Sequence, residues 1–242
     1  FEPQSTPGEY TLVLGPSVLS ESGTALDQDG DSLPGEIPDD QYTASFVIAD
    51  AVGTLTLADR EELDLSAADA WYYFQTSRQG ALTVQANFQV GEGSVDLTLY
   101  DEDLNELTMA IDTPTYGNRR IDRDVLAAEA YYLKVSGSHA DVELRMANLL
   151  THVWNTVTVY GTVADDQFEF EAAATHNVSV NEVGYEFDPG TAAVVVFLGE
   201  GGDDAVTLRG NAGDDSVELW PDHGRLVGTD YTVTASGVAM ID

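Results

Sequence analysis

One phrase recurs in the last third of the chain: a glycine turn carrying two adjacent carboxylates, followed at once by a run of alternating apolar residues. It reads Gly161-Thr-Val-Ala-Asp165-Asp166-Gln-Phe168-Glu-Phe170, then Gly199-Glu-Gly-Gly-Asp203-Asp204-Ala-Val206-Thr-Leu208, then Gly210-Asn-Ala-Gly-Asp214-Asp215-Ser-Val217-Glu-Leu219. Glycine takes backbone angles that other residues resist, so each copy dictates a sharp turn. The period-2 run behind it dictates a strand. The same alternation appears over 10–14, 81–88, 95–100, 131–135 and 142–146, with Gly, Asp, Asn or Pro between the runs. Helical signal is confined to a short stretch at 123–130. The chain is therefore predicted to be all-β.

The paired carboxylates also carry a chemical reading. A turn that gathers carbonyl and carboxylate oxygens suits a hard cation, and calcium takes six to eight such ligands. The phrase resembles the glycine- and aspartate-rich calcium repeats of RTX-type secreted proteins. That resemblance implies Asp165, Asp166, Asp203, Asp204, Asp214 and Asp215 as calcium ligands. The copies start 38 and then 11 residues apart rather than in nonapeptide register, so a regular parallel β-roll is not expected. Asp203/Asp204 and Asp214/Asp215, the pairs nearest in sequence, are expected to converge. The plainer alternative is a Gly-Asp turn that only opens a strand.

A second acidic segment, Asp27-Gln-Asp29-Gly-Asp31-Ser-Leu33-Pro-Gly-Glu36, sets aspartates at alternate positions. Wrapped into a loop, such a spacing points carboxylates at one centre, as in EF-hand and dockerin loops. Leu33 would add a backbone carbonyl, Ser32 stands where a glycine is usual, and Pro38 occupies the place of the closing glutamate. Glu36, Asp39 or Asp40 would then close a site built on Asp27, Asp29 and Asp31. An acidic linker is the alternative.

Composition narrows the function classes. Nine Lys and Arg against 43 Asp and Glu give a formal charge of −34, which repels nucleic acid and anionic membranes. A hydrophobic content of 43% argues for folded domains rather than acidic disorder. The absence of cysteine removes disulfides and thiol chemistry. No apolar run reaches the length of a membrane helix. The chain starts at Phe1 with no signal-peptide pattern and is expected to be a mature product or a segment of a longer protein.

Three segments are expected. Residues 1–50 hold two strands around the acidic loop, and Tyr10-Thr-Leu-Val-Leu14-Gly-Pro16 ahead of Leu26-Asp-Gln-Asp-Gly-Asp31 is similar to the closing part of a bacterial Ig-like surface domain. Residues 51–149, from Asp69-Ala-Trp71-Tyr-Tyr73-Phe74 through Gly93-Ser-Val-Asp96-Leu-Thr-Leu99 to Tyr131-Tyr-Leu-Lys-Val135, resemble the bacterial pre-peptidase C-terminal domain. That resemblance implies a jelly-roll-like β-sandwich attached to secreted enzymes and surface proteins. Residues 150–242 carry the Gly-Asp-Asp turns in a unit of 35–40 residues that occurs about twice.

Catalytic patterns are missing from the sequence. His139, His152, His176 and His223 show no metal-ligand spacing, and no Gly-x-Ser-x-Gly elbow is present. Carboxylate pairs such as Asp101/Asp103 are the default of a chain this acidic. Alternation divides Trp71 and Tyr73 from Tyr72 and Phe74, so one pair at least is core, and Trp154 and Trp220 are read as packing residues. The expectation is a non-catalytic, calcium-binding structural or adhesive module of a secreted or cell-surface protein. The alternatives are an accessory domain of a secreted hydrolase and a filament subunit assembled by strand addition. Expected partners are calcium, neighbouring modules or adjacent subunits, and cell-surface glycans.

Overall fold

The computed structural model describes residues 3–113 and 117–242. Among these, four β-sheets form and no helix does. The segment 123–130, which carried a weak helical signal, is instead the end of the strand Gly117–Val125 and a turn, because Ile121 and Val125 are buried while Asp122 and Asp124 face out. That is the period of a strand.

Gly8–Leu14 and Tyr42–Ile48 make an antiparallel ribbon, with Tyr10 stacked on Phe46 at 5.5 Å. The 15–41 loop joins them. Next comes a sandwich. One face is the five-stranded sheet of Asp50–Leu55, Ala70–Thr76, Ala130–Gly137, Val95–Asp101 and Glu106–Met109. The other face includes Leu57–Leu63, Val142–Val153, Gly80–Phe88, Gly117–Val125 and Ile111–Thr113. Alternate residues of both faces, among them Phe74, Leu82, Val84, Leu97, Leu99 and Leu133, fill the core between them. Trp71, Tyr72 and Phe74 are buried, so three of the four aromatics in that run are packing residues.

The remainder forms a second core between two sheets whose central strands run parallel. Thr156–Tyr160, Val194–Leu198 and Thr232–Ser236 stack in register, Thr156 beside Val194 beside Thr232. Gln167–Glu171, Ala205–Arg209 and Met240–Ile241 stack likewise in the facing sheet. The 38-residue spacing of the first two Gly-Asp-Asp copies is the rung repeat itself, and the stack built on it is not a nonapeptide β-roll. It brings like residues into columns: Val157 with Val195 and Val233, and Phe168 with Val206 and Ile241. The third Gly-Asp-Asp copy is not a rung; it lies between Ala205–Arg209 and Ser216–Leu219. A hairpin, His176–Val180 with Val183–Phe187, extends one sheet beyond the first rung. Another, Ser216–Leu219 with His223–Val227, extends the other sheet beyond the third.

The strand Val142–Val153 belongs to both cores. Val142, Leu144 and Met146 point into the sandwich, whereas Ala147, Leu149 and Leu150 belong to the second core, so the expected boundary at 149/150 falls within one continuous strand. Along one edge it pairs first with Leu57–Leu63 and then with Thr156–Tyr160. At the handover sits fully buried Asn148. Its Oδ1 accepts from the Arg78 N–H (2.9 Å) and the Ser77 hydroxyl (3.1 Å), and its Nδ2 donates to the Ala81 carbonyl (3.1 Å). Its own N–H donates to the Thr56 carbonyl (2.8 Å).

Two predictions follow from this packing. Replacing Asn148 by Ala strands the Arg78 N–H and the Ala81 carbonyl, and should cost about 2–3 kcal/mol in denaturant unfolding; a cost near zero would show that the side chain is incidental. His176 is 2% exposed against Phe170 and Tyr231, and neither ring nitrogen has a hydrogen-bond partner. Burial holds its pKa below the ordinary value, against the charges of Asp188 and Asp230. The folded ring is thus neutral, while the unfolded one takes a proton below about pH 6.5. Its contribution is present above that pH and is lost as pH falls towards the folded value. His176→Phe should flatten the decline in stability between about pH 6.5 and pH 5; an unchanged slope would refute the assignment.

Candidate functional site

The acidic loop gathers Asp27, Asp29 and Asp40, each offering an oxygen within 4.8 Å of the others. Calcium–oxygen distances are about 2.3–2.6 Å, so ligands on opposite sides of one ion stand about 5 Å apart, and the three carboxylates fit. Asp40 is buried and accepts the Glu36 N–H (2.9 Å), the Gln28 N–H (2.6 Å) and the Gly35 N–H (2.6 Å). These donors, that of Glu36 first, hold its carboxyl below the usual carboxylate range despite burial. Asp27 accepts from the Gly30 and Ser32 N–H groups, and Asp31 from that of Leu33, so the loop winds on itself through its own aspartates. Ser32 has φ +77°, the left-handed conformation that glycine provides in comparable loops.

Of the expected ligands Asp27, Asp29, Asp31 and Glu36, the structure groups the first two and adds Asp40; Asp31 and Glu36 lie outside the group of three. Glu36 still feels it. Burial raises its pKa, and Asp31, Asp39, Asp40 and Asp29 raise it further. Of the three closing residues that the spacing allowed, Glu36, Asp39 and Asp40, only Asp40 has an oxygen grouped with those of Asp27 and Asp29.

A second grouping lies in the parallel stack, where the first turn rests on the second. Asp165 Oδ1 accepts the Asp203 N–H (2.8 Å), and Asp204 Oδ1 accepts the Asp166 N–H (2.8 Å). Asp166 and Asp204 are both fully buried. Asp166 is well served by the Thr162 N–H and hydroxyl and by Asn181 Nδ2 (2.6 Å). Asp204 is not: Glu200 stands where Thr162 stands one rung earlier, and Oδ2 has no hydrogen-bond partner. Burial raises its pKa, and the charges of Asp166 and Asp165 add to the shift against the N–H of Asp166. Gly199 permits this closeness, since a Cβ there would lie 2.2 Å from the Gly237 carbonyl and 2.3 Å from Asp204 Oδ2.

The expected convergence of Asp203/Asp204 with Asp214/Asp215 is not formed. The strand Ala205–Arg209 carries the chain away from the turn by five residues, about 17 Å. Hydrogen bonds join Asp203 and Asp204 to Asp165 and Asp166 instead. Asp214 is exposed, and Asp215 Oδ1 accepts the Tyr231 hydroxyl (2.7 Å), which locks the approach to the third rung. Burial, then that bond, pushes the Tyr231 pKa up to about 12.

A third feature was not foreseen. A groove of about 960 Å³ lies where the sandwich meets the second core, lined by Gln75, Gln79, Asp101, Arg123, Glu129 and Tyr160 among others. Trp154, next in sequence to the lining residue Val153, caps the hairpin after Val142–Val153 at 93% exposure and φ +59°. The expectation that Trp154 packs is therefore overturned, because a hairpin tip with a left-handed residue offers no neighbour to cover the ring. Trp220 is half-exposed and stacks on His223 at 4.3 Å.

Asp204→Asn would place an amide nitrogen beside the Asp166 carboxylate and remove a buried charge. It should raise stability without divalent cations by about 1 kcal/mol or more, as read by urea unfolding; a loss of stability would refute the unsatisfied-carboxylate reading.

No family model matches the chain, and no curated protein does. Among solved structures, the chain is similar to the pre-peptidase C-terminal domain of a collagenase from Bacillus anthracis, at 16% identity and a TM-score of 0.31, over 41% of this chain and 92% of that one. It is also similar to PliG, a periplasmic inhibitor of g-type lysozyme from Aeromonas hydrophila, at 8% identity and a TM-score of 0.30, over 41% of this chain and 97% of that one.

Proposed function

We propose that this chain is a non-catalytic, calcium-stiffened β-module of a secreted or cell-surface protein, serving to space, anchor or adhere. The observation that supports it best is the convergence of Asp27, Asp29 and Asp40 on one point of a wound loop. At a formal charge of −34, cation binding offsets self-repulsion as well as tying that loop together. Extracellular calcium modules bind at about 10⁻⁴–10⁻³ M, so such a site is filled outside cells and empty at cytosolic calcium levels. The ion's part is structural. It would fix the ribbon's connection without taking part in any reaction.

Calorimetric titration of the chain with calcium should show a site that Asp27→Asn combined with Asp29→Asn removes. Equal magnesium should compete poorly, because magnesium sheds its water reluctantly. At ten times the dissociation constant the ion stabilises the fold it binds by about 1.4 kcal/mol. No calcium heat, or equal heat from parent and double variant, would sink the proposal.

A further inference from the structure

The ribbon of Gly8–Leu14 and Tyr42–Ile48 is a sheet of two strands that no other strand joins among the described residues. Two strands alone are marginal in water and call for a second apolar layer. We propose that this layer is the same ribbon of a second copy, so that two chains associate face to face about a twofold axis. The inference goes beyond the calcium reading and does not rest on it.

Register separates the two sides of the ribbon. Residues directly opposite each other share a side, and side chains alternate along each strand. One side therefore carries Tyr10, Leu12, Leu14, Tyr42 and Phe46, with no charged group among its residues. Leu12, Leu14, Tyr42 and Phe46 are 38%, 45%, 50% and 44% exposed, and none of them belongs to either core. The other side is mixed, with Glu9, Thr11 and Ser45 upon it. Glu9 reaches the Lys134 ammonium on the sandwich at 3.7 Å, so the mixed side is the one tied to the rest of the chain.

Charge points to where copies can meet. With 43 acidic residues against nine basic ones, two such chains repel over most of their surfaces. The two strands, seven residues each, hold a single charged residue, Glu9, and it lies on the mixed side. The apolar side is thus a place where a second copy approaches without meeting carboxylates.

Shape makes the same side complementary to itself. Its layers alternate along the ribbon: Gly8 with Ile48 is small, Tyr10 with Phe46 large, Leu12 with Ala44 small, Leu14 with Tyr42 large. A twofold axis that crosses the strands within the contact reverses this order. It sets Tyr10 and Phe46 over Leu12 and Ala44, and Leu14 and Tyr42 over Gly8 and Ile48. Large layers then meet small ones at every level, which is how facing sheets interdigitate. Tyr10 and Phe46 are stacked at 5.5 Å, and the Tyr10 hydroxyl donates to the Thr6 carbonyl (2.7 Å), so it brings no unpaired donor to the contact. Burying this side on both copies removes about 1,000 Å² in total, the lower bound of a specific interface. The dimer is accordingly weak, with a dissociation constant of about 10⁻⁵ M. Being isologous, it closes at two copies and makes no filament.

Sedimentation equilibrium of the whole chain in calcium, from about 1 to 300 µM and at low and high salt, tests the proposal. A monomer–dimer equilibrium is expected, and it should tighten with salt, which screens the repulsion between two acidic bodies. Phe46→Asp buries an unpaired carboxylate at two symmetry-related places and should weaken the dimer about hundredfold or more. Val13→Asp adds the same charge to the mixed side and should stay within about threefold of the parent. A monomer under every condition would overturn the inference and assign the apolar side to a partner of another sequence. A dimer that Phe46→Asp leaves intact would overturn it by placing the contact elsewhere. Equal losses in Phe46→Asp and Val13→Asp would overturn it too, because the contact would then not distinguish the two sides.

Discussion

The architecture depends on one strand doing two jobs. Val142–Val153 contributes to the sandwich with its first half and to the parallel stack with its second, and the two halves meet at Asn148. A change of core along a strand disturbs the ladder, and the register shifts between Ala147 and Leu150. Backbone groups freed by that shift must find partners out of reach of water. Asn148 offers both a donor and an acceptor at the break, tying the turn before Gly80–Phe88 to the handover between Leu57–Leu63 and Thr156–Tyr160. The groove beside this junction follows from the same geometry, since two cores sharing one strand diverge on either side of it.

Cations are too few to be spread evenly, and several of the nine stand at this junction. Arg145, on the shared strand, bridges Asp59 and Glu182. Arg120 is buried, pairs with Asp122, and lies over the Tyr185 ring. Arg78 covers the Tyr160 ring at 4.0 Å and reaches Glu200 at 3.6 Å. Each joins residues of one core to residues of the other. Exposed ion pairs contribute little, but guanidinium groups lying on aromatic faces at a half-buried seam are screened less by salt.

Much of this could be read from the sequence, and the rest could not for definite reasons. Alternation in 81–88, 95–100 and 131–135 marked residues that are core, because burial on a strand follows a local period of two. The Asp27-Gln-Asp29 spacing marked a wound loop for the same kind of reason: the chemistry lies within a few residues. Pairing between distant turns is different. Asp204 meets Asp166 across 38 residues because a parallel stack sets the register, whereas sequence proximity favoured Asp215. The equal rung length was visible in the Gly161 and Gly199 spacing but was hidden by the third copy, which shares the phrase and not the position. Exposure of Trp154 depends on a left-handed hairpin tip, for which a tryptophan gives no local sign.

A continuous strand through two cores also has a mechanical meaning. In proteins strung as beads on linkers, tension peels one unit while its neighbour stays intact. Here a pull that opens the sandwich must drag Val142–Met146 out from between Leu57–Leu63 and Gly80–Phe88, and the same chain is pinned downstream by Thr156–Tyr160. The load is borne in shear by many ladder bonds at once, instead of being released bond by bond. Force applied at one end is thereby passed to the rungs at the other as strain on a single spine, and the two cores yield together or hold together.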